Sequence, residues 1–280
     1  MAKPALVGTH QTLHKPFLKW PGGKFRVVPK LLEVLPPGRR LVEPFVGSGA
    51  VFLNVAYERY LLADTNQDLI NLCGHVATEG SAFIDYCRPW FGPLFNREDA
   101  FYAMRELFNT AADSRLRAAL FLYLNKHCFN GLVRFNNRGL FNSPFGTFKQ
   151  VRYPQRELEY FHAHAQRAQF VGQDFGATMR AACAGDVVYC DPPYVPLTPT
   201  ANFTKFGREP FGMDQQLELV RLARVLTQKG IPVVISNHDT EFVRSAYAGA
   251  ELHRISVRRS ISRDGASRGE VAEIVAVFRP

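Results

Sequence analysis

"RRLVEPFVGSGAVFLNVAYERYLLAD", residues 39–64, decides the fold. Apolar Leu41 and Val42 run into Glu43, Pro44 and Phe45. Gly47 and Gly49 then make a sharp turn, and "AVFLNVAYER" reads as a helix before "YLLAD" ends a second strand at Asp64. A strand, a glycine turn, a helix and a strand form the unit that builds parallel sheets. Farther along, "DVVYC" (186–190), "IPVVISN" (231–237) and "VAEIVAVFRP" (271–280) read as further strands. "DQQLELVRLARVLTQKG" (214–230) reads as a helix, with Asp214 as N-cap and Gly230 as its stop. The expected fold is a three-layer, Rossmann-like α/β sheet.

The middle of the chain has a different texture. Residues 67–155 are first helical and polar, then loop-like and rich in Asn, Gly and Phe. They read as a mainly helical insertion, which leaves 1–66 and 156–280 as one sheet domain. From Arg115 to Arg156 there are eight Lys/Arg and no Asp or Glu, and aromatics and amides are interleaved: "YLNKHCFNGLVRFNNRGLFNSPFGTFK". "LHRISVRRSISR" (252–263) is a second acid-free basic stretch. With a net charge of +9 concentrated this way, nucleic acid is the expected partner.

Composition removes several alternatives. At 46% hydrophobic and 21% charged residues, the 280-residue chain matches an ordinary globular protein with a sizeable core. No apolar run reaches the eighteen or so residues of a membrane span, and the opening residues lack a signal-peptide core. The cysteines at 73, 87, 128, 183 and 190 form neither a CxxC pair nor a zinc spacing. They read as reduced thiols. His162 and His164 form no metal motif, so no metal and a cytoplasmic location are expected.

Two constellations carry chemistry. Gly47 and Gly49 let backbone approach a ligand at the carboxyl edge of the sheet, and Asp64 ends the neighbouring strand, where a carboxylate accepts hydrogen bonds from ribose hydroxyls. The F-x-G-x-G spacing is short of the full dinucleotide pattern, and by itself leaves NAD and S-adenosylmethionine both open. The second is "CDPPY", where Pro192 and Pro193 stop a buried strand. An acid and an aromatic fixed there suit a planar base carrying an exocyclic amine. Asp191 accepts one amine N–H, the Pro192 carbonyl takes the other, and Tyr194 offers a face for stacking. Acceptors fixed in advance lower the barrier by positioning and electrostatic preorganisation.

With these motifs together the chain resembles the Dam-type DNA adenine-N6 methyltransferases. The shared stretches are "FLKWPGGK" (17–24), "LVEPFVGSGAVFLN" (41–54), "LLADTNQDLI" (61–70), "LFLYLNKHCFNGLVRFNNRGLFNSPFG" (120–146), "VVYCDPPYVPLTPTANFT" (187–204) and "ISNHDT" (235–240). The resemblance implies S-adenosylmethionine as methyl donor and in-line transfer to N6 of an adenine flipped from duplex DNA, within GATC. It also implies a bacterial, nucleoid-associated enzyme that is monomeric in solution.

By the same resemblance, Trp20, Lys24, Phe45, Gly47, Gly49, Asp64, Asp174, Phe175 and Asp191 line the cofactor site. Asp191, Pro192, Pro193 and Tyr194 are the catalytic motif. Leu132, Arg134 and Pro144 match positions that read bases, and Phe129 and Asn130 enter the stack near the flipped base. Lys19, Asn136 and Lys149 complete the DNA-binding set. Phe129 and Phe148 stand where the family commonly has Tyr, so contacts through those hydroxyls are lost. The chemistry of the residue types agrees: Arg suits guanine O6 and N7, Leu a thymine methyl, Asn a base edge. An RNA amino-group methyltransferase, a catalytically silent DNA-binding regulator and a dehydrogenase are the competing readings. The last is disfavoured by the incomplete dinucleotide fingerprint.

Overall fold

The computed structural model describes residues 12–195, 211–258 and 270–280. Residues 196–204 of the catalytic motif and 259–263 of the second basic stretch lie outside them. Strands β1 (Arg40–Glu43), β2 (Arg59–Asp64), β3 (Ala168–Gly172), β4 (Asp186–Cys190), β5 (Val233–His238), β6 (Glu251–Arg258) and β7 (Glu270–Phe278) form one sheet in the order β3-β2-β1-β4-β5-β7-β6. The first five are parallel, whereas β7 runs antiparallel to both β5 and β6.

Both faces of the central strands are buried, which is why they read as continuous apolar runs instead of alternating ones. Successive residues still divide between the faces. Leu41, Leu62 and Val187 enter one core, and Val42, Leu61 and Val188 the other. The first core takes in α1 (Val28–Val34), α2 (Gln67–Glu79), α3 (Ser81–Cys87), α4 (Glu98–Thr110), α5 (Ser114–His127) and α6 (Gln155–Ala165). On the opposite side α7 (Phe175–Arg180), α8 (Met213–Gln228) and α9 (Glu241–Ala246) cover the second.

Helix α5 is buried from Ala118 to Asn125, so it is a central core helix with no solvated face along that stretch. The ion pair of Arg117 with Asp68, at 2.5 Å, ties it to α2. The helical part of segment 67–155 therefore shares one core with the sheet.

Two local expectations are corrected. The stretch 50–59 is not a full helix: one 3-10 turn, Phe52–Asn54, is followed by extended Val55. The Asn54 amide donates to the carbonyls of Ala50 (2.8 Å) and His14 (2.9 Å) and accepts the His14 N–H. An asparagine side chain that bonds the backbone competes with helix propagation, and Val51 and Val55 are stiff neighbours. Helix α8 is capped at Gly212, with Asp214 inside the first turn. There its charge favours the helix dipole without capping. Gly230 does end that helix, with φ +79°.

Because β1 leads outward to β2 and β3, and β4 leads the other way to β5, the order reverses between β1 and β4. Ligands of open α/β sheets bind at such a switch point, beyond the carboxyl ends of the strands.

Candidate active site and nucleic-acid interface

Gly47 and Asp64 are brought together as a fixed unit. The Gly47 N–H donates to Asp64 Oδ2 at 3.1 Å, and the Asn66 N–H to Oδ1 at 2.9 Å. Burial pushes the Asp64 carboxyl above its ordinary range, and those N–H bonds oppose the shift. Asp64 thus also holds the glycine turn against β2. Gly47 has φ +49°, and a Cβ there would lie 2.9 Å from the Trp20 indole nitrogen. Glycine is needed on both counts. Phe45 stacks on Phe175 with centroids 5.5 Å apart, and Phe211 closes an aromatic trio at 5.6 and 5.4 Å. Asp174 caps α7 by accepting the Ala177 N–H at 3.0 Å, which sets Phe175 at the first position of that helix.

At the end of β4 the Asp191 carboxylate meets Lys24 Nζ at 3.2 Å, and the same ammonium lies 4.4 Å from the centre of the Tyr194 ring. The Tyr194 hydroxyl donates to Glu273 Oε2 at 3.0 Å, and the His238 ring packs edge-on against Tyr194 at 4.7 Å. Asp191 is pushed up to about 6. Its recessed position is the main cause, Lys24 opposes the shift, and the Glu273 charge adds to it. Glu43, buried at the end of β1, is held well above its usual range by burial and then by the Asp191 charge. Its Oε1 has no hydrogen-bond partner among the described residues.

The loop behind Asp191 is braced from beneath. Gln216 of α8 donates to the Pro193 carbonyl (2.8 Å), and Asn237 of β5 accepts the Val195 N–H (3.1 Å). Asn237 in turn donates to Gln216 (3.1 Å) and to the Tyr247 hydroxyl (2.9 Å). Two prolines removed the donors a strand would use, and buried side-chain amides hold the remaining groups.

The basic, amide-rich stretch forms a hairpin-like loop, with bridges Cys128↔Phe145 and Phe135↔Phe141. Phe129 is 52% exposed although large and apolar. Asn130 beside it sits in the left-handed region at φ +53°, which Asn tolerates better than most residues. Arg134, Asn136, Pro144 and Lys149 are exposed and Leu132 is half-buried. Asn136 accepts the N–H groups of Arg138 and Leu140, so its carbonyl oxygen is engaged in its own turn. Lys19 joins the loop from the N-terminal side. Its backbone exchanges hydrogen bonds with Asn125 (3.0 and 2.7 Å), and its ammonium lies over the Phe148 ring at 4.1 Å. Gly131, at φ +67°, packs where a Cβ would run into the Lys19 side chain.

The sequence reading did not find Glu43, Phe211, Gln216 or Glu273. Glu43 and Glu273 carried a signal: each is an acid flanked by apolar residues of a strand. Among the described residues no group of His, Cys, Asp and Glu is placed to hold a metal ion, and no helix is long and apolar enough to cross a membrane.

A glycine turn and an acid–proline–proline–tyrosine loop thus sit on adjacent carboxyl ends in the parallel part of a mixed sheet, the frame of an α/β enzyme. Residues 20–261 match the D12 class N6 adenine-specific DNA methyltransferases, and the chain belongs to that family. It is 47% identical over 265 residues to a DNA adenine methylase of Vibrio cholerae serotype O1, covering 94% of this chain and 96% of that one. Identity to the DNA adenine methylase of Serratia marcescens is 47% over 267 residues (95% and 99%). For that of Escherichia coli K12 it is 45% over 267 residues (95% and 96%). Among solved structures, the rRNA methyltransferase aviRa from Streptomyces viridochromogenes aligns over 93% of this chain and 87% of that one. The TM-score is 0.38 and the identity 13%. The protein is therefore an adenine-specific DNA methyltransferase acting at N6.

Proposed function

We propose that the enzyme uses S-adenosylmethionine to methylate adenine flipped out of duplex DNA, within GATC. The observation that carries this reading is the adjacency of the β1 glycine turn and the Asp191–Tyr194 loop at the switch point. The residues there fit the methyl donor. Gly47, Gly49 and Trp20 form the cradle, Asp64 is the acid beside it, and Phe45 and Phe175 form its aromatic flank, with Asp174 capping the helix that carries Phe175. The Asp191 carboxylate suits a cation, and the buried Glu43 beside it leaves one oxygen without a partner among the described residues. When bound, S-adenosylmethionine supplies a methyl group on positively charged sulfur.

The chain's own groups prepare the amine. Asp191 accepts one N–H and the Pro192 carbonyl the other, drawing the nitrogen lone pair out of the ring, while the Tyr194 face holds the base. Lys24 now occupies both the Asp191 oxygen and that ring face, so an entering base has to displace it. A carboxyl near 6 is ionised at neutral pH and close enough to it to share the departing proton.

On this reading residues 67–155 are the DNA-reading insertion by function, although their helices share a core with the sheet domain of 1–66 and 156–280. Arg134 reads guanine, Leu132 and Pro144 touch bases, Phe129 and Asn130 enter the stack, and Lys19, Asn136 and Lys149 hold the backbone. Plasmid DNA methylated by the enzyme and cut with methylation-sensitive and methylation-dependent GATC nucleases tests the target. Protection from the first and cleavage by the second is expected; unchanged patterns with methyl incorporation elsewhere would refute GATC. Preferential methylation of duplex RNA in competition would refute the DNA assignment.

A further inference from the structure

Arg134 is not a free surface arginine. Its Nε–H donates to Asn142 Oδ1 at 2.8 Å and its Nη2 to the Asn142 carbonyl at 3.0 Å. The Asn142 N–H returns a bond to the Arg134 carbonyl at 3.0 Å. The pair spans the loop beside the Phe135↔Phe141 bridge. Asn109 of α4 holds that loop from behind, accepting the Phe141 N–H (2.8 Å) and donating to its carbonyl (3.2 Å). One residue thus engages the Nε side of the guanidinium from a backbone that is itself fixed.

A guanidinium carries five N–H donors in a rigid plane. Asn142 takes two of them, both on the edge shared by Nε and Nη2. The donors left are those of the terminal fork, on Nη1 and the outer side of Nη2. Two parallel donors in one plane are what guanine O6 and N7 accept together. A long side chain anchored before binding also loses less rotamer freedom on binding.

We propose that Asn142 is a specificity-determining positioning residue, which occupies the Nε edge of Arg134 so that the terminal fork alone faces a guanine. The inference rests on reading Arg134 as the guanine contact. Asn142 contributes no base contact of its own in this role. Its removal loosens discrimination at the base pair Arg134 reads and at no other.

The test uses the full-length enzyme and a panel of duplexes, the target and variants altered at one base pair each, in single-turnover methyl transfer. Arg134→Ala first identifies the base pair whose discrimination collapses. Asn142→Ala is expected to lose about tenfold of the discrimination at that same base pair and to keep it at the others. Adding it to Arg134→Ala is expected to cost nothing further. Asn142→Asp keeps an acceptor for Nε, so discrimination is expected to survive even where its charge slows all duplexes together. Equal weakening of every duplex by Asn142→Ala, as for a phosphate contact, would overturn the proposal, as would relaxation at a different base pair. Uniform weakening by Arg134→Ala itself would instead remove the guanine reading, and this proposal with it.

Discussion

The Asp191 environment makes a prediction about pH. On the proposed reading Asp191 accepts the amine N–H, and its ionised form is much the stronger acceptor, so activity falls as pH drops through its pKa. The recessed site and the Glu273 charge place that value at about 6, against the pull of Lys24. Tyr194, Tyr189 of β4 and Glu43 of β1 also face this group electrostatically. At pH 5 a carboxyl titrating at about 6 is ionised in roughly one molecule in eleven, whereas one at the ordinary value is ionised in more than nine in ten. The expectation is therefore a fall of about tenfold in kcat/KM for DNA between neutral pH and pH 5, since kcat/KM reports the free enzyme. The assay is transfer of a labelled methyl group at constant ionic strength, with DNA binding and thermal stability followed separately at each pH. The residual activity of Asp191→Asn is expected to lack the acid limb. A flat profile to pH 5 in the wild type, or a limb that persists in Asp191→Asn, would refute the assignment.

Perturbations at four more residues follow from the same geometry. Tyr194→Phe keeps the ring but not the bond to Glu273, so it is expected to lose about tenfold in kcat, with Glu273→Ala similar and Glu273→Gln milder. Tyr194→Ala also loses stacking, worth roughly 1–3 kcal/mol, and equal rates for Phe and Ala would show that the hydroxyl alone matters. Glu43→Gln tests the buried acid. A folded-state pKa raised by burial gives stability that is complete below the unfolded value and lost as pH rises, so the variant is expected to gain Tm over wild type at pH 7.5 and less at pH 5. The same difference at both pH values would count against a raised pKa. Gly47→Ala forces a left-handed residue, at about 1–2 kcal/mol, and a methyl against Trp20. Calorimetry is expected to show weakened methyl-donor binding, and unchanged affinity would detach the turn from the cofactor.

The sheet was legible because its central strands are buried on both faces and so stand out as apolar runs at "RLVE", "YLLAD" and "DVVYC". The helix expected at 50–59 was not, because Asn54 bonds the chain to the distant residue His14, a partner no local pattern reveals. The Asp191–Tyr194 motif announced itself through its prolines, yet its supports did not. Gln216 sits on a helix twenty-two residues beyond Tyr194, and Glu273 reaches the tyrosine through the pairing of β7 with β5, where Glu273 lies opposite His238. The loop around Arg134 was legible as basic and amide-rich. Which amides bond the loop itself, as those of Asn136 and Asn142 do, depends on register that composition leaves open.

The short strap from Phe17 to Lys24 touches both ends of the machine. Lys19 is laced by its backbone to Asn125, and its side chain fills the space that Gly131 leaves. Lys126 reaches back to the Phe17 carbonyl at 3.1 Å, and Lys24 lies on Asp191. The loop of residues 128–146, which the proposed reading gives to DNA recognition, is consequently not a cassette. A chimera that imports residues 128–146 from a relative of different target preference, without that relative's version of residues 17–24, would inherit a loop fitted to someone else's lysine. Retargeting this scaffold means moving two segments that lie more than a hundred residues apart, and moving them together.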